Sequence, residues 1–182
     1  MRTAVLLLLL MTGMAVSAAA QQPASAESVL QEARATAARE KKNVFILFHA
    51  SWCGWCHKMD TAMNDRSVKA FFDNNYVIRH LTVYESDKNK HLENPGALEL
   101  LTKYHGGEQG IPYWLVFDKD GKLLADSKIR KPGEGPDAGS NSGCPASEAE
   151  VEHFIKVLKQ TSPLQDSQLS VIRKRFRENE HH

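Results

Sequence analysis

Residues 44–57 read Val44-Phe45-Ile46-Leu47-Phe48-His49-Ala50-Ser51-Trp52-Cys53-Gly54-Trp55-Cys56-His57. Five apolar residues in a row, without alternation, predict a strand buried on both faces in a parallel or mixed sheet. Two cysteines three positions apart follow at a helix start. Such a pair has three chemistries open to it: redox exchange, metal binding or, because His57 follows Cys56, covalent haem attachment. The rest of the chain supplies the context.

Working outward, residues 26–42 are rich in Ala, Glu, Arg and Lys and predict a helix. Ser25 or Ser28 suits its start, and Lys41 and Lys42 suit its end. Beyond the cysteines a helix is predicted over 53–63, with helical character again over 67–74 after a cap at Asp65 or Ser67. Tyr76 to Val83 is the next strand. Residues 85–94 are polar and charged and read as a surface loop. Pro95 at a first helical position and Gly106 after the last predict a helix over 96–104.

Gly110-Ile111-Pro112 then introduces the aromatic and β-branched run Tyr113–Phe117. Asp118-Lys119-Asp120-Gly121 is a hairpin turn, and 122–127 is the returning strand. Residues 130–146 are crowded with Gly and Pro and carry Cys144; they read as one long irregular loop. Ser147 and Glu150 form a capping box for a helix over 148–160, with Val151, Phe154, Ile155 and Leu158 on one face. Ser162-Pro163 opens a last helix to about residue 179. Leu169, Ile172 and Phe176 share its apolar side, and Arg173, Lys174, Arg175 and Arg177 read as a solvated face. The order predicts an α/β fold: a mixed sheet of about four strands, its first two parallel and its last two a hairpin, with helices on both faces.

Residues 1–20 read as a secretory signal. Arg2 is the positive lead, 4–11 the apolar core, and Ser17-Ala18-Ala19-Ala20 a run of small residues suited to cleavage after Ala20. The apolar stretch is shorter than the roughly 20 residues of a spanning helix. The expected division is therefore a signal over 1–20, one domain over 21–161 and a C-terminal helical extension over 162–182. Export places the chain in a periplasmic or extracellular compartment where disulfides persist, with no membrane insertion after signal removal. The 182-residue chain is 42% hydrophobic and 25% charged, with a net charge of +1. That balance gives no electrostatic reason to expect nucleic acid as a partner. Cys53, Cys56 and Cys144 are its three cysteines, too few for a disulfide scaffold and odd in number, so the fold must rest on its core.

A buried strand, then Trp52-Cys53-Gly54-Trp55-Cys56, a helix, and a distant Ile111-Pro112 before a strand and an Asp-Gly hairpin resemble the thioredoxin family over roughly residues 26–160. The extra helices make the chain look closer to secreted thioredoxin-like variants. The resemblance implies a thiol–disulfide oxidoreductase without cofactor or metal, whose partners are protein thiols and disulfides and a redox partner protein. It implies that Cys53 is the nucleophile at a helix N-terminus, where a thiolate is favoured, and that Cys56 is the buried resolving thiol. Pro112 matches the family's cis-proline, and Ile111 the residue that offers its backbone to an extended substrate. Trp55 is expected against substrate, and Trp52 more as core than as contact.

One departure stands out. Thioredoxin's buried acid falls here at Leu47, which leaves His49 and His57 as nearby titratable substitutes. His57 lies one helical turn after Cys53, where an imidazolium would stabilise a thiolate. The loop over 128–146 is expected to start at the active-site rim, so Cys144 is a candidate modulator, a handle for an intermolecular disulfide, or a buried spectator. Three rival readings remain. A non-enzymatic thioredoxin-like binding or chaperone module would carry an idle disulfide. Haem would use Cys53, Cys56 and His57, with Met59 or Met63 on iron. Zinc would need Cys53, Cys56, Cys144 and a histidine gathered together.

Overall fold

Ser25 caps the first helix by accepting the Ser28 amide, and α1 runs over Ala26–Glu40 until Lys41 turns it off with a φ of 56°. The computed structural model describes residues 22–181, so the expected signal lies outside the described residues. β1 (Asn43–His49) is the central strand. Its residues 44–48 are all buried, and the pleat divides them: Val44, Ile46 and Phe48 face α1, while Phe45 and Leu47 face the opposite core.

The helix after the cysteines, α2, spans Gly54–Met63 with Cys53 as its N-cap. Asp65 Oδ1 takes both the amide and the hydroxyl of Ser67, which separates α2 from α3 (Lys69–Asn75). These helices carry the crossover to β2 (Tyr76–Thr82), which lies parallel to β1 with Val77 opposite Val44 and Leu81 opposite Phe48. The stretch over 85–94 departs from the expected surface loop. It holds a 3-10 turn over Asp87–Leu92, and its first residue, Glu85, is buried. The next helix, α4 (Ala97–Lys103), starts two residues after Pro95, with Gly96 as N-cap at a φ of 79°. Pro95 stays outside because its carbonyl accepts the Ala26 amide at 2.8 Å and ties the segment to α1.

β3 (Tyr113–Phe117) lies antiparallel on the other edge of β1, with Trp114 opposite Leu47, and β4 (Leu123–Asp126) pairs antiparallel with β3. The sheet order is β2-β1-β3-β4, the mixed four-stranded arrangement expected from the element order. The 130–146 segment is less irregular than its composition suggests. β5 (Lys128–Ile129) pairs with β6 (Ser140–Asn141) in a second, two-stranded ribbon. Lys128, a buried residue, closes its base by donating to the Pro136 and Asp137 carbonyls.

α5 (Glu148–Thr161) has the Ser147–Glu150 capping box. The last helix, α6 (Asp166–Arg177), begins three residues after Pro163, where Gln168 Oε1 accepts the amide of the N-cap Gln165 at 2.9 Å. Its basic residues do not form a plain solvated face. The Arg175 side chain is largely buried with Nε 3.1 Å from Asp65, and the Arg177 guanidinium donates to the Ala146 carbonyl. The last turn of α6 faces the α2–α3 junction and the entry to α5, and these cations reach across to the oxygens there. The apolar side of α6 enters the main core. Leu169, Ile172 and Phe176 join Phe45, Phe72, Trp114 and Phe154 in one buried cluster on the α2 side of the sheet.

Candidate active site

β1 ends at His49 and the chain crosses the sheet edge through Ala50-Ser51-Trp52. Two residues just after β2 hold this crossing in place. The Glu85 carboxylate, 5% exposed, accepts the Ser51 amide and, at 2.8 Å, the Ser51 hydroxyl. Tyr84 takes a left-handed backbone conformation with φ 56°, and its carbonyl accepts Trp52 Nε1 at 2.7 Å. A non-glycine residue at positive φ is uncommon, and here it lets successive residues meet Trp52 and Ser51. Neither Tyr84 nor Glu85 was among the residues singled out from sequence. The only signal for Glu85 is an acid three residues after β2.

With the crossing fixed, the Cys53 amide bonds the Ala50 carbonyl at 3.1 Å, and Cys53 becomes the N-cap of α2. The Cys56 amide donates to Cys53 Sγ at 3.1 Å. Cys53 and Cys56 form a disulfide with Cα atoms 5.2 Å apart. The position is one where free helix N–H groups favour an anion. The two residues differ in access: Cys53 keeps 4% exposure and Cys56 none. Ile111 packs over both cysteines with Ala50. The Ile111–Pro112 peptide bond is cis, and the Ile111 carbonyl oxygen lies 3.7 Å from Cys53 Sγ.

The two tryptophans stand on either side. Trp55 is 47% exposed, with Lys58 Nζ 4.1 Å from its ring centroid. Trp52 is 60% exposed, which corrects the expectation that it is mostly core. The reason is the Tyr84 carbonyl, which holds the indole N–H and leaves the ring outside.

Leu47 is fully buried among Met59, Trp114 and Val116. The titratable groups lie further along the strands. His49 and His80 rings sit 5.0 Å apart, His80 Nε2 is 2.7 Å from Asp60 Oδ1, and His49 Nε2 is 3.1 Å from Thr82 Oγ1. Burial, helped by the neighbouring His80, lowers the pKa of His49. His57 is exposed, and its Nε2 donates to the Ser51 carbonyl at 2.9 Å, so it braces the same crossing from the other side. Cys144 lines a cavity with Trp55, Ile111 and Pro112, close to the disulfide. It is a buried thiol; burial pushes its pKa up to about 12, and Asn179 Nδ2 approaches its sulfur at 3.5 Å. Among the described residues, no three His, Cys, Asp or Glu side chains gather as a metal site requires.

Two outcomes follow from these contacts. Burial alone would raise the Glu85 carboxyl, but the bonds from Ser51 outweigh it and hold the group below its ordinary value. A depressed carboxyl contributes stability that is present above its unfolded pKa and is lost as pH falls through the folded one. Glu85→Ala is therefore expected to cost about 1–3 kcal/mol at neutral pH, since it leaves the Ser51 amide unpaired. The deficit, read by urea unfolding, should shrink as the pH drops below about 4.3. For Cys144, native oxidised protein at pH 8 should react with iodoacetamide at least about 1000-fold more slowly than protein unfolded in guanidinium, because the thiolate is so scarce. Equal rates in the two states would show that the thiol is open.

A thioredoxin-type sheet with a Cys-x-x-Cys disulfide capping the helix after its central strand, opposite a cis-proline, defines a thiol–disulfide oxidoreductase centre. The chain belongs to the thioredoxin-like family, whose model matches residues 25–119, just over half of its length. Solved structures to which it is similar include a disulphide isomerase from Xylella fastidiosa Temecula1, at 26% identity and a TM-score of 0.47, covering 59% of this chain and 80% of that one. A DsbH oxidoreductase is 22% identical with a TM-score of 0.42, covering 83% and 93%. A thioredoxin-fold protein from Helicobacter pylori is 17% identical with a TM-score of 0.39, covering 77% and 84%. No curated protein matches the chain.

Proposed function

We propose that the protein is exported and exchanges disulfides with other exported proteins, with Cys53 as nucleophile and Cys56 as resolving thiol. The observation that carries this reading is the Cys53–Cys56 pair at the mouth of α2, with the Cys56 amide on Cys53 Sγ and the Ile111 carbonyl beside it. In the reduced protein the same amide and helix terminus favour Cys53 as thiolate. That thiolate attacks one sulfur of a client disulfide, and the other client sulfur leaves as a thiolate. Cys56, deprotonated, then attacks Cys53 Sγ and expels the second client thiolate. The client gains two electrons and the protein regains its disulfide; the reverse sequence donates a disulfide.

Trp52, Trp55, Ile111 and Pro112 form the substrate groove in this reading. His57 and His49 act on the pair only indirectly, through the backbone crossing and the strand end, and Cys144 stays a thiol. Export rests on residues 1–20, with a mature chain from Gln21 in the periplasm or outside the cell. No helix of the described residues is long and apolar enough to cross a membrane.

The test is covalent capture. Cys56→Ala, expressed with its leader, should accumulate mixed disulfides with exported proteins that dithiothreitol releases, and the double variant lacking Cys53 as well should accumulate none. Capture of nothing by Cys56→Ala, or equal capture by the double variant, removes the reading. The Cys53–Cys56 potential against glutathione then sorts reductant from oxidant.

A further inference from the structure

We infer that Asn141 is a positioning residue for disulfide exchange: from the end of the β5–β6 ribbon it sets the backbone over 109–112 so that the Ile111 carbonyl faces Cys53. This rests on the proposed exchange through Cys53 and adds to it a residue that acts through the backbone. The Asn141 side chain bonds four backbone groups. Its Nδ2 donates to the carbonyls of Gln109, Gly110 and Pro112 at 3.2, 3.2 and 3.0 Å, and its Oδ1 accepts the Gly143 amide at 3.0 Å. These partners fix which way the side-chain amide points, since a reversed group would set an oxygen against three carbonyl oxygens. Gln109 returns the contact, its Oε1 accepting the Asn141 backbone amide at 3.3 Å.

The carbonyls that Asn141 takes lie on both sides of the one beside the sulfur. The Gly110 carbonyl belongs to the peptide plane before Ile111, and the Pro112 carbonyl to the plane after Pro112. With both planes held, the plane between them has little freedom to turn. That middle plane carries the Ile111 carbonyl, whose oxygen lies 3.7 Å from Cys53 Sγ. Pro112 is buried, so its carbonyl needs a protein partner in any case. Gly110 is exposed, and water would serve its carbonyl as well. The bond to Gly110 therefore orients the loop rather than rescuing a buried group.

Asn141 is itself fixed to the main sheet. It pairs with Lys128 across the ribbon. The Ser142 amide donates to the Ser127 carbonyl at 2.8 Å, and the Ser127 amide to the Trp114 carbonyl of β3 at 3.0 Å. Trp114 Nε1 donates to the Gly143 carbonyl at 3.0 Å, so the residues after Asn141 return twice to one residue of β3. The start of the loop is tied as well. The Tyr84 hydroxyl donates to the Gly107 carbonyl, and the Tyr84 carbonyl holds Trp52. A backbone held at both ends before a client arrives loses less freedom when the client binds.

The test offers two disulfides to reduced full-length protein. One is a disulfide-linked dimer of a short extended peptide, which presents backbone N–H groups. The other is bis(2-hydroxyethyl) disulfide, which has no peptide group. In each reaction Cys53 and Cys56 give up two electrons and become the disulfide, and the substrate leaves as two thiols. Asn141→Ala removes all four side-chain bonds. Asn141→Ser keeps a hydroxyl that can accept the Gly143 amide but is too short for the carbonyls, and neither variant changes the charge near the sulfurs. Both are expected to slow the peptide reaction about fivefold to tenfold, the worth of one backbone hydrogen bond to the client. The rate with the small disulfide and the equilibrium constant with glutathione should each stay within about twofold of wild type. If Asn141→Ala does not fold, Asn141→Ser carries the comparison. An equal fall with both disulfides, or a larger shift of the glutathione equilibrium, overturns the assignment, because Asn141 then acts on the sulfurs or on the fold as a whole. Unchanged rates with both disulfides overturn it too and leave the exchange reading standing. No reaction of the wild type with either disulfide overturns the positioning role and the exchange reading together.

Discussion

Cys53→Ala is expected to lower insulin reduction to the rate of dithiothreitol alone, while the variant stays folded. Cys53 is 4% exposed and Cys56 fully covered, so Cys53 is the residue of the pair that a client can reach. It is also the residue at the helix start, with the Cys56 amide 3.1 Å from its sulfur, and therefore the one whose thiolate is favoured. Removing it leaves Cys56 beneath Ile111 with no route to a client disulfide. The substitution itself is small. It deletes one sulfur from a local cluster of Ala50, Cys56 and Ile111 and leaves both main cores intact. Residual turnover well above the dithiothreitol background would mean that Cys56 or Cys144 can open a client disulfide, and would support an idle Cys53–Cys56 disulfide. A Cys144→Ala variant at wild-type rate, measured alongside, separates those two.

Phe176→Ala is expected to lower stability by about 3–5 kcal/mol, the usual cost of deleting a buried phenyl ring. For a domain of this size that moves Tm down by roughly 6–20 °C. Phe176 lies in α6, in the stretch that sequence alone sets apart as an extension. Its ring is fully buried, 4.8 Å from Phe154 and 6.1 Å from Phe72, centroid to centroid. Phe154 in turn packs on Trp114 at 5.5 Å and Phe45 at 6.4 Å, so the contacts run from the last helix to the central strand. If 162–182 were separable, the loss would be below about 1 kcal/mol and a chain ending at residue 161 would unfold at the wild-type temperature. Lys174→Ala, on the exposed side of the same helix, should stay within about 0.5 kcal/mol of wild type and serves as the control.

These two residues mark where local sequence was a sufficient guide and where it was not. Cys53 was legible because everything that defines its place is nearby: a run of apolar residues that only a doubly covered strand accommodates, then a helix start. The β3–β4 hairpin was legible for the same reason, since Asp118 bonds the amides of Asp120 and Lys122 within its own turn. Phe176 gave only an apolar helical stripe, which states that a face is covered and not by what. Glu85 and Asn141 were harder still. Each is a single polar residue in a polar stretch, and each acts on backbone far away in sequence: Glu85 on Ser51, and Asn141 on the carbonyls of Gln109, Gly110 and Pro112. Arg175 was misread because charged side chains are usually solvated, and its partner Asp65 is 110 residues away.

Sequence by itself determined the succession of helices and strands of a mixed four-stranded sheet and the paired cysteines at a helix start, because period, capping and turn chemistry act within a few residues; the place of Pro112 beside them came from the resemblance to the thioredoxin family. Tertiary structure alone decided that Trp52 stands outside, that a buried glutamate secures the crossing before Cys53, and that the 140–146 segment walls a cavity at the disulfide. Those features depend on which carbonyls and amides are left unpaired when distant segments meet, and no local pattern encodes that pairing.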